Sequence, residues 1–103
     1  MNKINIVFCC AGGFSTSCLI GPVTEAGAKR GIEVNASAIA TTNVTEHVLT
    51  TDIFMLAPQV RYMLSELAEL TSPVPAVLVP MQDFGMRNGE NILNQALAAL
   101  EQG

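Results

Sequence analysis

Residues 10–17, Cys-Ala-Gly-Gly-Phe-Ser-Thr-Ser, combine a thiol, two adjacent glycines and three hydroxyl side chains in one short stretch. The thiolate is the reactive form of cysteine, and backbone N–H groups that converge at the start of a helix favour the anion over the thiol. The same N–H groups bind phosphoryl oxygens, which glycines allow to approach closely. We therefore predict a phosphate-binding loop with Cys10 as its nucleophile. The other predicted loop residues are Ala11, Gly12, Gly13, Phe14, Ser15, Thr16 and Ser17.

This loop lacks the cation on which two well-known phosphate loops depend. A nucleotide P-loop has a lysine after its second glycine, but no lysine lies between Lys3 and Lys29. Low-molecular-weight tyrosine phosphatases and related arsenate reductases have a cysteine, five residues and then an arginine, and here Thr16 stands at the arginine position. Because no guanidinium is present to stabilise the transferring group, the loop favours holding a phosphoryl group for another acceptor over rapid hydrolysis.

Four short apolar runs predict the strands of a sheet. The first, from Lys3 to Cys9, is nearly continuous in apolar character, which is typical of a central parallel strand that is covered on both faces. The second, from Glu33 to Ile39, alternates apolar with polar residues and is predicted to lie at an edge. The last two strands are predicted from Asp52 to Ala57 and from Val74 to Val79.

Apolar residues at helical spacing predict helices between these strands. The first helix is predicted from Ser15 to Arg30, with a bend at Pro22, because proline lacks the N–H that a helix interior requires. A short helix is predicted over residues 41–49, with Asn43 as its cap and Leu49 on its inner face.

The clearest apolar stripe follows Pro58 and ends before Pro73. Its predicted inner positions are Val60, Met63, Leu64, Leu67 and Leu70. Residues 81–89 are predicted to form a loop, and Asn88 is predicted to cap a last helix. The buried stripe of that helix is predicted to contain Ile92, Leu93, Ala96, Leu97 and Leu100.

The alternation of strands and helices predicts a single α/β domain over residues 1–103, with a four-stranded parallel sheet of order 2-1-3-4 and helices on both faces. Ligands of such sheets gather beyond the carboxyl ends of the strands, where the strand order reverses. Cys10 stands at the end of the first strand, whereas Ala57-Pro58-Gln59 and residues 81–89 follow the third and fourth strands. We therefore expect these three segments to meet at one site.

The composition excludes several classes of function. The chain has 103 residues, a net charge of -4 and only five lysines plus arginines, which is too few for a nucleic-acid surface or a polybasic membrane contact. The three cysteines, none at a metal-ligand spacing from His47, fit a reducing compartment. We predict a cytosolic protein without a metal or cofactor. No apolar run is long enough for a signal core or a transmembrane helix, so no membrane insertion is expected.

Three segments resemble the enzyme IIB component of the lactose and cellobiose/chitobiose class of phosphoenolpyruvate-dependent sugar phosphotransferase systems. Residues 10–17 are similar to that family's loop of cysteine, two small residues, glycine, usually methionine, and Ser-Thr-Ser. Residues 57–64, Ala-Pro-Gln-Val-Arg-Tyr-Met-Leu, resemble its Gly-Pro-Gln segment. Residues 84–89, Phe-Gly-Met-Arg-Asn-Gly, resemble its Tyr-Gly-x-x-Asp-Gly segment. The predicted topology is also similar to that of the low-molecular-weight tyrosine phosphatases.

The resemblance implies that Cys10 accepts a phosphoryl group from a phosphohistidine on an enzyme IIA partner. It further implies that Cys10 passes this group to a sugar bound by the membrane enzyme IIC, with a disaccharide such as cellobiose, chitobiose or lactose as the expected sugar. His47 is not the family's phosphoryl carrier. A low-molecular-weight cysteine phosphatase or arsenate reductase is the alternative, and a non-catalytic module that only docks partners is a third hypothesis.

Several side chains outside the loop are candidates for a role in this phosphoryl transfer. Asp83 is a candidate general acid, and Arg61 and Arg87 are candidate contacts to the phosphoryl group or to an acidic partner. The accessory candidates retained for the site are Gln59, Asp83, Phe84 and Arg87. Three further reactive side chains are expected to be structural only: Cys9 buried in the strand, Cys18 packed in the first helical turn and His47 on the surface.

Overall fold

The sheet contains four parallel strands in the order β2-β1-β3-β4, which confirms the predicted order. The computed structural model describes residues 2–12 and 15–102. The strands are β1 (Lys3–Cys10), β2 (Glu33–Ala40), β3 (Ile53–Leu56) and β4 (Ala76–Leu78). Because β1 pairs with both β2 and β3, the strand order reverses beside β1, where a ligand site is expected.

Helical segments connect the strands and cover both faces of the sheet. The α-helices in the described part of the chain are α1 (Ile20–Lys29), α2 (Leu64–Thr71), α3 (Met81–Met86) and α4 (Gly89–Gln102). The same described ranges contain 3₁₀ helices over Ser17–Leu19, Thr41–Thr50 and Pro58–Met63. Within the described residues, no helix combines the length and the apolar character that a membrane span requires.

Successive residues of β1 belong to two different apolar cores. Ile4, Ile6 and Phe8 are fully buried in a core that also contains residues of α1 and α4. Val7 and Cys9 belong to the opposite core, which is completed by residues of β3, α2 and the 3₁₀ segments after β2 and β3. This alternation follows from the two-residue period of a strand, and each fully buried large apolar side chain contributes about 1.5–3 kcal/mol.

The predicted bend at Pro22 is wrong because the first helix begins later than the apolar pattern indicates. The chain first makes a 3₁₀ turn over Ser17–Leu19, and α1 starts at Ile20. Pro22 therefore lies in the first turn of α1, where the backbone N–H groups have no partner within the helix. Proline removes no helical hydrogen bond at this position.

The segment after β2 is a 3₁₀ helix over Thr41–Thr50, not the predicted α-helix with an Asn43 cap. It begins directly after Ala40, and no side chain caps its first turn. Val44 is buried as expected, whereas Leu49 is 99% exposed and does not lie on the inner face. With three residues per turn, Val44 and Leu49 fall on different sides of the helix.

The segment after β3 begins as a 3₁₀ helix over Pro58–Met63 and becomes α-helical only in α2. Leu67 is buried as predicted, but Leu70 is 48% exposed. Thr71 is the buried residue of the last turn, because it lies four positions after Leu67 and hence on the same face. The Thr71 hydroxyl donates to the carbonyl of Val74, 3.0 Å away.

Residues 81–86 form the short helix α3 instead of the predicted loop. A six-residue helix is too short for apolar periodicity to reveal, because about two turns carry too few inward positions. The predicted cap of the last helix is confirmed, since the Asn91 N–H donates to Asn88 Oδ1 at 3.1 Å.

β4 is a three-residue edge strand between Pro75 and Pro80, as predicted for an edge position. The Phe54 N–H donates to the Pro75 carbonyl at 2.9 Å, on the side that faces β3. The carbonyl of Leu78 accepts a hydrogen bond from Gln95 Nε2 on α4, 2.7 Å away. A side chain of α4 thus occupies a main-chain acceptor of this edge.

Candidate functional site

Cys10 is the last residue of β1 and lies where several connections leave the sheet. It pairs with Ala40, the last residue of β2. The preceding Cys9 pairs with Leu56, the last residue of β3, and β4 ends beside the same leucine. The N–H of Ala57 donates to the Cys9 carbonyl at 2.9 Å. The segments after β1, β3 and β4 therefore begin at one edge of the sheet, as predicted.

Ser15 and Thr16 surround the sulfur of Cys10. Thr16 Oγ1 donates to Cys10 Sγ over 3.8 Å, and the backbone and hydroxyl groups of both Ser15 and Thr16 hydrogen-bond to the thiolate. Thr16 is fully buried and Cys10 is 2% exposed, whereas Ser15 is exposed. The chain therefore turns back after the strand end and presents hydrogen-bond donors to the thiol.

These donors lower the pKa of Cys10 from 9.0 to about 7. Burial alone raises this pKa, but the hydrogen bonds from Ser15 and Thr16 stabilise the thiolate and outweigh it. The lowered pKa raises the fraction of Cys10 that is thiolate at neutral pH, which is the state that reacts with electrophiles.

Cys9 differs sharply from its neighbour. It is fully buried in the sheet, and burial followed by the negative charge of Cys10 raises the pKa of Cys9 to about 12. Within the described residues, the hydrogen bond seen for Cys9 Sγ is to the carbonyl oxygen of Val7, 3.9 Å away. The prediction that Cys9 is a buried strand residue is confirmed.

Three of the remaining predicted loop residues lie in the part of the chain that the structure describes. Ala11 and Gly12 form an exposed bend, and Ser17 begins the 3₁₀ turn. Gly13 and Phe14, which were also predicted as loop residues, lie outside the described residues. Cys18 follows the loop and packs against the α1–α4 core while its Sγ contacts the carbonyl of Ser15 at 3.3 Å, in agreement with its expected packing role.

Three of the accessory candidates lie in the segments that follow β3 and β4. Gln59 is exposed and comes two residues after Ala57, whose N–H binds Cys9. Phe84 is half-buried and packs against both apolar cores. Asp83 Oδ1 accepts a hydrogen bond from Asn91 Nδ2 at 3.1 Å, so this carboxylate connects α3 to α4.

The two arginine candidates are exposed. Arg61 lies on the 3₁₀ segment after β3, while Arg87 ends α3 in the left-handed conformation, with φ of 53°. Arg87 lines a groove together with Pro22 and Lys29 of α1. The structure therefore places Arg87 between α1 and α4. His47 is half-buried and lines an open cavity beside β1 and β2.

Sequence reasoning did not identify Thr41 as a residue of this region. Thr41 follows Ala40, the ladder partner of Cys10, and is buried with 5% of its surface exposed. The alternation of apolar and polar residues predicted that β2 ends at Ile39, one residue too early, and the threonines that follow were assigned to a helix. The signal that was available is positional: β2 also ends at the carboxyl edge of the sheet, next to β1.

A sequence model of the family described as "PTS system, Lactose/Cellobiose specific IIB subunit" matches residues 5–95. The chain belongs to this family. As a IIB subunit it is a phosphotransferase of a sugar transport system and works with other components of that system. Within residues 2–12 and 15–102 of this IIB subunit, no group of three histidine, cysteine, aspartate or glutamate side chains can hold a metal ion.

Two curated relatives of this IIB subunit are found in Lactococcus lactis. The galactose-specific EIIB component of subspecies cremoris is 33% identical over 98 residues, which cover 88% of this chain and 91% of the relative. The cellobiose-specific EIIB component of subspecies lactis has the same identity and the same coverage.

Two solved structures resemble this IIB subunit over nearly its whole length. The cellobiose-specific phosphotransferase IIB component from Borrelia burgdorferi has a TM-score of 0.78 and 33% identity, with 97% of this chain and 94% of that chain covered. The lactose-specific IIB component domain from Streptococcus pneumoniae also has a TM-score of 0.78, at 21% identity, with 93% and 96% covered. The second likeness shows the shared fold only.

Proposed function

We propose that Cys10 carries the phosphoryl group in two displacement steps. In the first, the Cys10 thiolate attacks the phosphorus of a phosphohistidine on a IIA partner. The S–P bond forms as the P–N bond breaks, and the released imidazole takes a proton from water. In the second, a hydroxyl oxygen of a sugar bound by the membrane component IIC attacks the phosphorus. The S–P bond breaks, the thiolate is regenerated, and the hydroxyl proton leaves to solvent.

The observation that carries this proposal is the Cys10 thiolate at the end of β1, held by donors from Ser15 and Thr16. A thiolate with a pKa of about 7 serves both steps. It is present at neutral pH as the nucleophile of the first step. It is also a better leaving group in the second step than an ordinary thiolate, because leaving-group ability rises as the thiol pKa falls.

The absence of a cation from the loop supports transfer to a partner over hydrolysis. Residues 10–17 contain neither arginine nor lysine, so no bidentate guanidinium is available in the loop to stabilise a transferring phosphoryl group. The IIA or IIC partner then supplies what the loop lacks. A low-molecular-weight phosphatase or arsenate reductase requires that group in its own loop, and the match to IIB sequences over residues 5–95 favours transfer as well.

We infer that the sugar is a disaccharide, such as cellobiose, chitobiose or lactose, and that the transfer takes place in the cytoplasm. One relative is named for cellobiose, which is a disaccharide, and another for galactose, which is a monosaccharide and one of the two units of lactose. IIC binds the sugar in this scheme, so the residues of the present chain contact the phosphoryl group and the protein partners.

The experiment is phosphorylation of the purified chain by phosphoenolpyruvate, the general phosphotransferase proteins and a matched IIA, followed by intact mass. We expect one added phosphoryl group on the wild type and on Cys9→Ser, and none on Cys10→Ser. Cys9→Ser is the matched control because it changes the adjacent residue and leaves the loop intact.

Two results would contradict the proposal. Phosphoryl uptake by Cys10→Ser would place the acceptor elsewhere, and loss of uptake in a folded Cys9→Ser would remove the distinction between the two cysteines. Rapid Cys10-dependent hydrolysis of an aryl phosphate, in the absence of any partner, would favour the phosphatase instead. Full sugar phosphorylation by Cys10→Ala together with IIA and IIC would favour a purely docking role.

A further inference from the structure

Cys18 is a thiol that the proposed transfer does not use, yet it contacts the turn that holds the Cys10 sulfur. Cys18 Sγ donates to the carbonyl of Ser15 at 3.3 Å. Ser15 in turn donates to the Cys10 sulfur from its backbone N–H and its hydroxyl. A single residue therefore connects the two sulfurs through hydrogen bonds. Cys18 is also partly exposed, so solvent reaches this region of the turn.

Thr16 provides a second connection between the two cysteines. Its Oγ1 lies 3.8 Å from Cys10 Sγ. The Thr16 carbonyl accepts the N–H of Leu19 at 3.0 Å, which closes the 3₁₀ turn that contains Cys18. The turn thus starts at a residue that contacts Cys10. Because a three-residue 3₁₀ helix is held by few hydrogen bonds of poor geometry, a shift of this turn can move Cys18 towards Cys10 and leave the sheet unchanged.

Cys9 is less suitable as a partner for Cys10, although the two residues are adjacent. Side chains of successive strand residues point to opposite faces, and Cys9 is fully buried in the sheet. A bond between these two sulfurs would distort the end of β1, where Cys10 pairs with Ala40 and Cys9 pairs with Leu56. Of the other two cysteines in the chain, Cys18 is therefore the one that can meet Cys10.

The surroundings of Cys10 favour its oxidation. Donors from Ser15 and Thr16 stabilise the thiolate, which is the form of cysteine that peroxides oxidise. Cys10 is 2% exposed, but the bend that follows it, over residues 11–12, is exposed. A phosphoryl donor must reach the same sulfur in the proposed function, and hydrogen peroxide is much smaller than a phosphohistidine.

We propose that Cys10 and Cys18 form a reversible disulfide when the protein meets hydrogen peroxide. The Cys10 thiolate attacks one peroxide oxygen, the O–O bond breaks, and the leaving hydroxide takes a proton from solvent, which leaves Cys10 as a sulfenic acid. The Cys18 sulfur then attacks the Cys10 sulfur. The S–O bond breaks, and the leaving hydroxide takes the Cys18 proton. The two cysteines lose two electrons in total, and peroxide is reduced to two water molecules.

The disulfide occupies the sulfur that carries the phosphoryl group, so oxidation and phosphorylation of Cys10 exclude each other. This consequence rests on the proposed function, whereas formation of the disulfide does not. A disulfide sulfur is neutral and accepts hydrogen bonds weakly, so oxidation also removes the charge that the donors of Ser15 and Thr16 stabilise. A dithiol reductant takes back the two electrons and restores the thiolate.

The test is oxidation of the purified, unphosphorylated full chain with hydrogen peroxide, followed by intact mass and chymotryptic mapping without reduction. Chymotrypsin cleaves after phenylalanine, and Phe14 separates Cys10 from Cys18 in the sequence. We expect a monomer that is lighter by two hydrogen atoms, a cross-link between Cys10 and Cys18, and recovery of both thiols with dithiothreitol. A cross-link to Cys9, a disulfide-linked dimer as the main product, or oxygen added to Cys10 without any cross-link would overturn the proposal.

A matched pair of variants tests the role of Cys18. Cys18→Ser retains a donor for the Ser15 carbonyl and removes the second sulfur. We expect it to lose the cross-link and to accumulate oxygen on Cys10 that dithiothreitol does not remove, because a sulfenic acid without a nearby thiol is oxidised further. Cys9→Ser, the control, should form the cross-link as the wild type does. Equal irreversible oxidation of the wild type and Cys18→Ser would contradict the proposal.

Phosphorylation separates this proposal from the proposed function. When reduced, the wild type and Cys18→Ser should both accept a phosphoryl group from a matched IIA. The oxidised wild type should accept none until dithiothreitol is added. A chain that forms the cross-link but takes up no phosphoryl group when reduced would support the disulfide and contradict the transfer function. A chain that takes up the phosphoryl group but forms no cross-link would contradict only the disulfide.

Discussion

Cys9 and Cys10 are adjacent in β1, yet they belong to two regions that are stabilised in different ways. Cys9 lies in the body of the sheet, where burial raises its pKa to about 12. Cys10 lies at the carboxyl end, where donors from Ser15 and Thr16 lower its pKa to about 7. The body is held by packing of apolar side chains, whereas the reactivity of the end is set by hydrogen bonds from the following turn.

Because the two regions are stabilised differently, stability and reactivity can be changed separately. A substitution in the body should lower the free energy of unfolding without changing the pKa of Cys10. A substitution in the turn should change that pKa with a smaller effect on unfolding. Both statements can be tested with the same two measurements, a denaturant melt and a pH profile of Cys10 alkylation.

The largest expected effect is the contrast in reactivity between the two cysteines. The pKa values of about 7 and about 12 predict a thiolate fraction at neutral pH that is several orders of magnitude larger for Cys10 than for Cys9. Iodoacetamide labelling with peptide mapping should modify Cys10 with a midpoint near pH 7 and leave Cys9 unmodified in the folded protein. Labelling of Cys9 at a comparable rate would show that the two regions do not differ as described.

The pKa of Cys10 also connects pH to stability. Because the folded-state pKa is lower than the value of 9.0 for an ordinary thiol, the thiolate contributes its stabilisation fully above pH 9.0. This contribution is lost as the pH falls from 9.0 to about 7. The wild type should therefore gain stability relative to Cys10→Ala as the pH rises through this window, and an opposite slope would contradict the lowered pKa.

The next largest effect is expected where packing stabilises the fold, at the contact between helices α1 and α4. A Cβ at Gly89 would clash with the main-chain carbonyl of Pro22, which cannot move away as a flexible side chain can. Gly89→Ala should therefore lower the free energy of unfolding by about 1–3 kcal/mol, as measured by denaturant melts. Gly21→Ala is the matched control, because a Cβ there has no heavy atom within 4 Å and alanine favours helix.

The alkylation midpoint of Cys10 should stay near pH 7 in Gly89→Ala. A shift of that midpoint would show that the helix packing and the loop are coupled. The control Gly21→Ala should be as stable as the wild type or more stable, and strong destabilisation by it would contradict the assignment of the Gly89 effect to the clash with Pro22.

A smaller effect is expected from the turn itself. Thr16→Val removes the hydroxyl that donates to Cys10 Sγ while it preserves a side chain of similar shape. This hydroxyl is one of four donors to the thiolate, so its removal should raise the pKa of Cys10 by about one unit, which corresponds to about 1.4 kcal/mol. The thiolate fraction at neutral pH should fall and the alkylation midpoint should rise. Thr42→Val, at an exposed position of the 3₁₀ segment after β2, should leave the midpoint unchanged. An unchanged midpoint in Thr16→Val would show that the backbone donors alone set the pKa.

The smallest effect is expected at the cap of α4. Asn88 Oδ1 accepts the Asn91 N–H at 3.1 Å, and loss of such a cap typically costs about 1 kcal/mol. Asn88→Ala should lower the free energy of unfolding by this amount and leave Cys10 alkylation unchanged. Asn94→Ala on the exposed side of the same helix is the control, and an equal loss in both variants would show that Asn88 does not act as a cap.

The candidate site was largely predictable because its key residues are contiguous. Cys10, Ser15 and Thr16 lie within seven residues, and a thiol before a glycine turn indicates its chemistry without knowledge of the fold. The position of Arg87 was less predictable, because its place beside Pro22 depends on how α1 packs against α4. The buried Thr41 was not predicted either, because β2 extends one residue further than expected, to Ala40, and Thr41 follows it directly.

The order of the strands was predictable because long apolar runs and their alternation with helices leave few arrangements. The local helix types were not. Pro22 predicts a bend only if at least one full helical turn precedes it, and the 3₁₀ turn over Ser17–Leu19 moves the start of α1 to Ile20. Leu49 lies outside the core because it comes five residues after Val44, a spacing that puts the two residues on different sides of a 3₁₀ helix and of an α-helix. Differences between 3₁₀ and α geometry are small in energy and depend on tertiary contacts, which the sequence does not display directly.

The hydrogen bond from Gln95 to the carbonyl of Leu78 has a consequence for assembly. It occupies a main-chain acceptor of β4, and β4 is only three residues long and flanked by prolines. Short strands and prolines protect a sheet edge from pairing with another chain. Strand addition is then confined to the edge at β2. Pairing through one edge ends at a dimer, whereas a sheet with two open edges can extend into a fibre. The Gln95 side chain of α4 thus protects the β4 edge of this small sheet against polymerisation by strand addition.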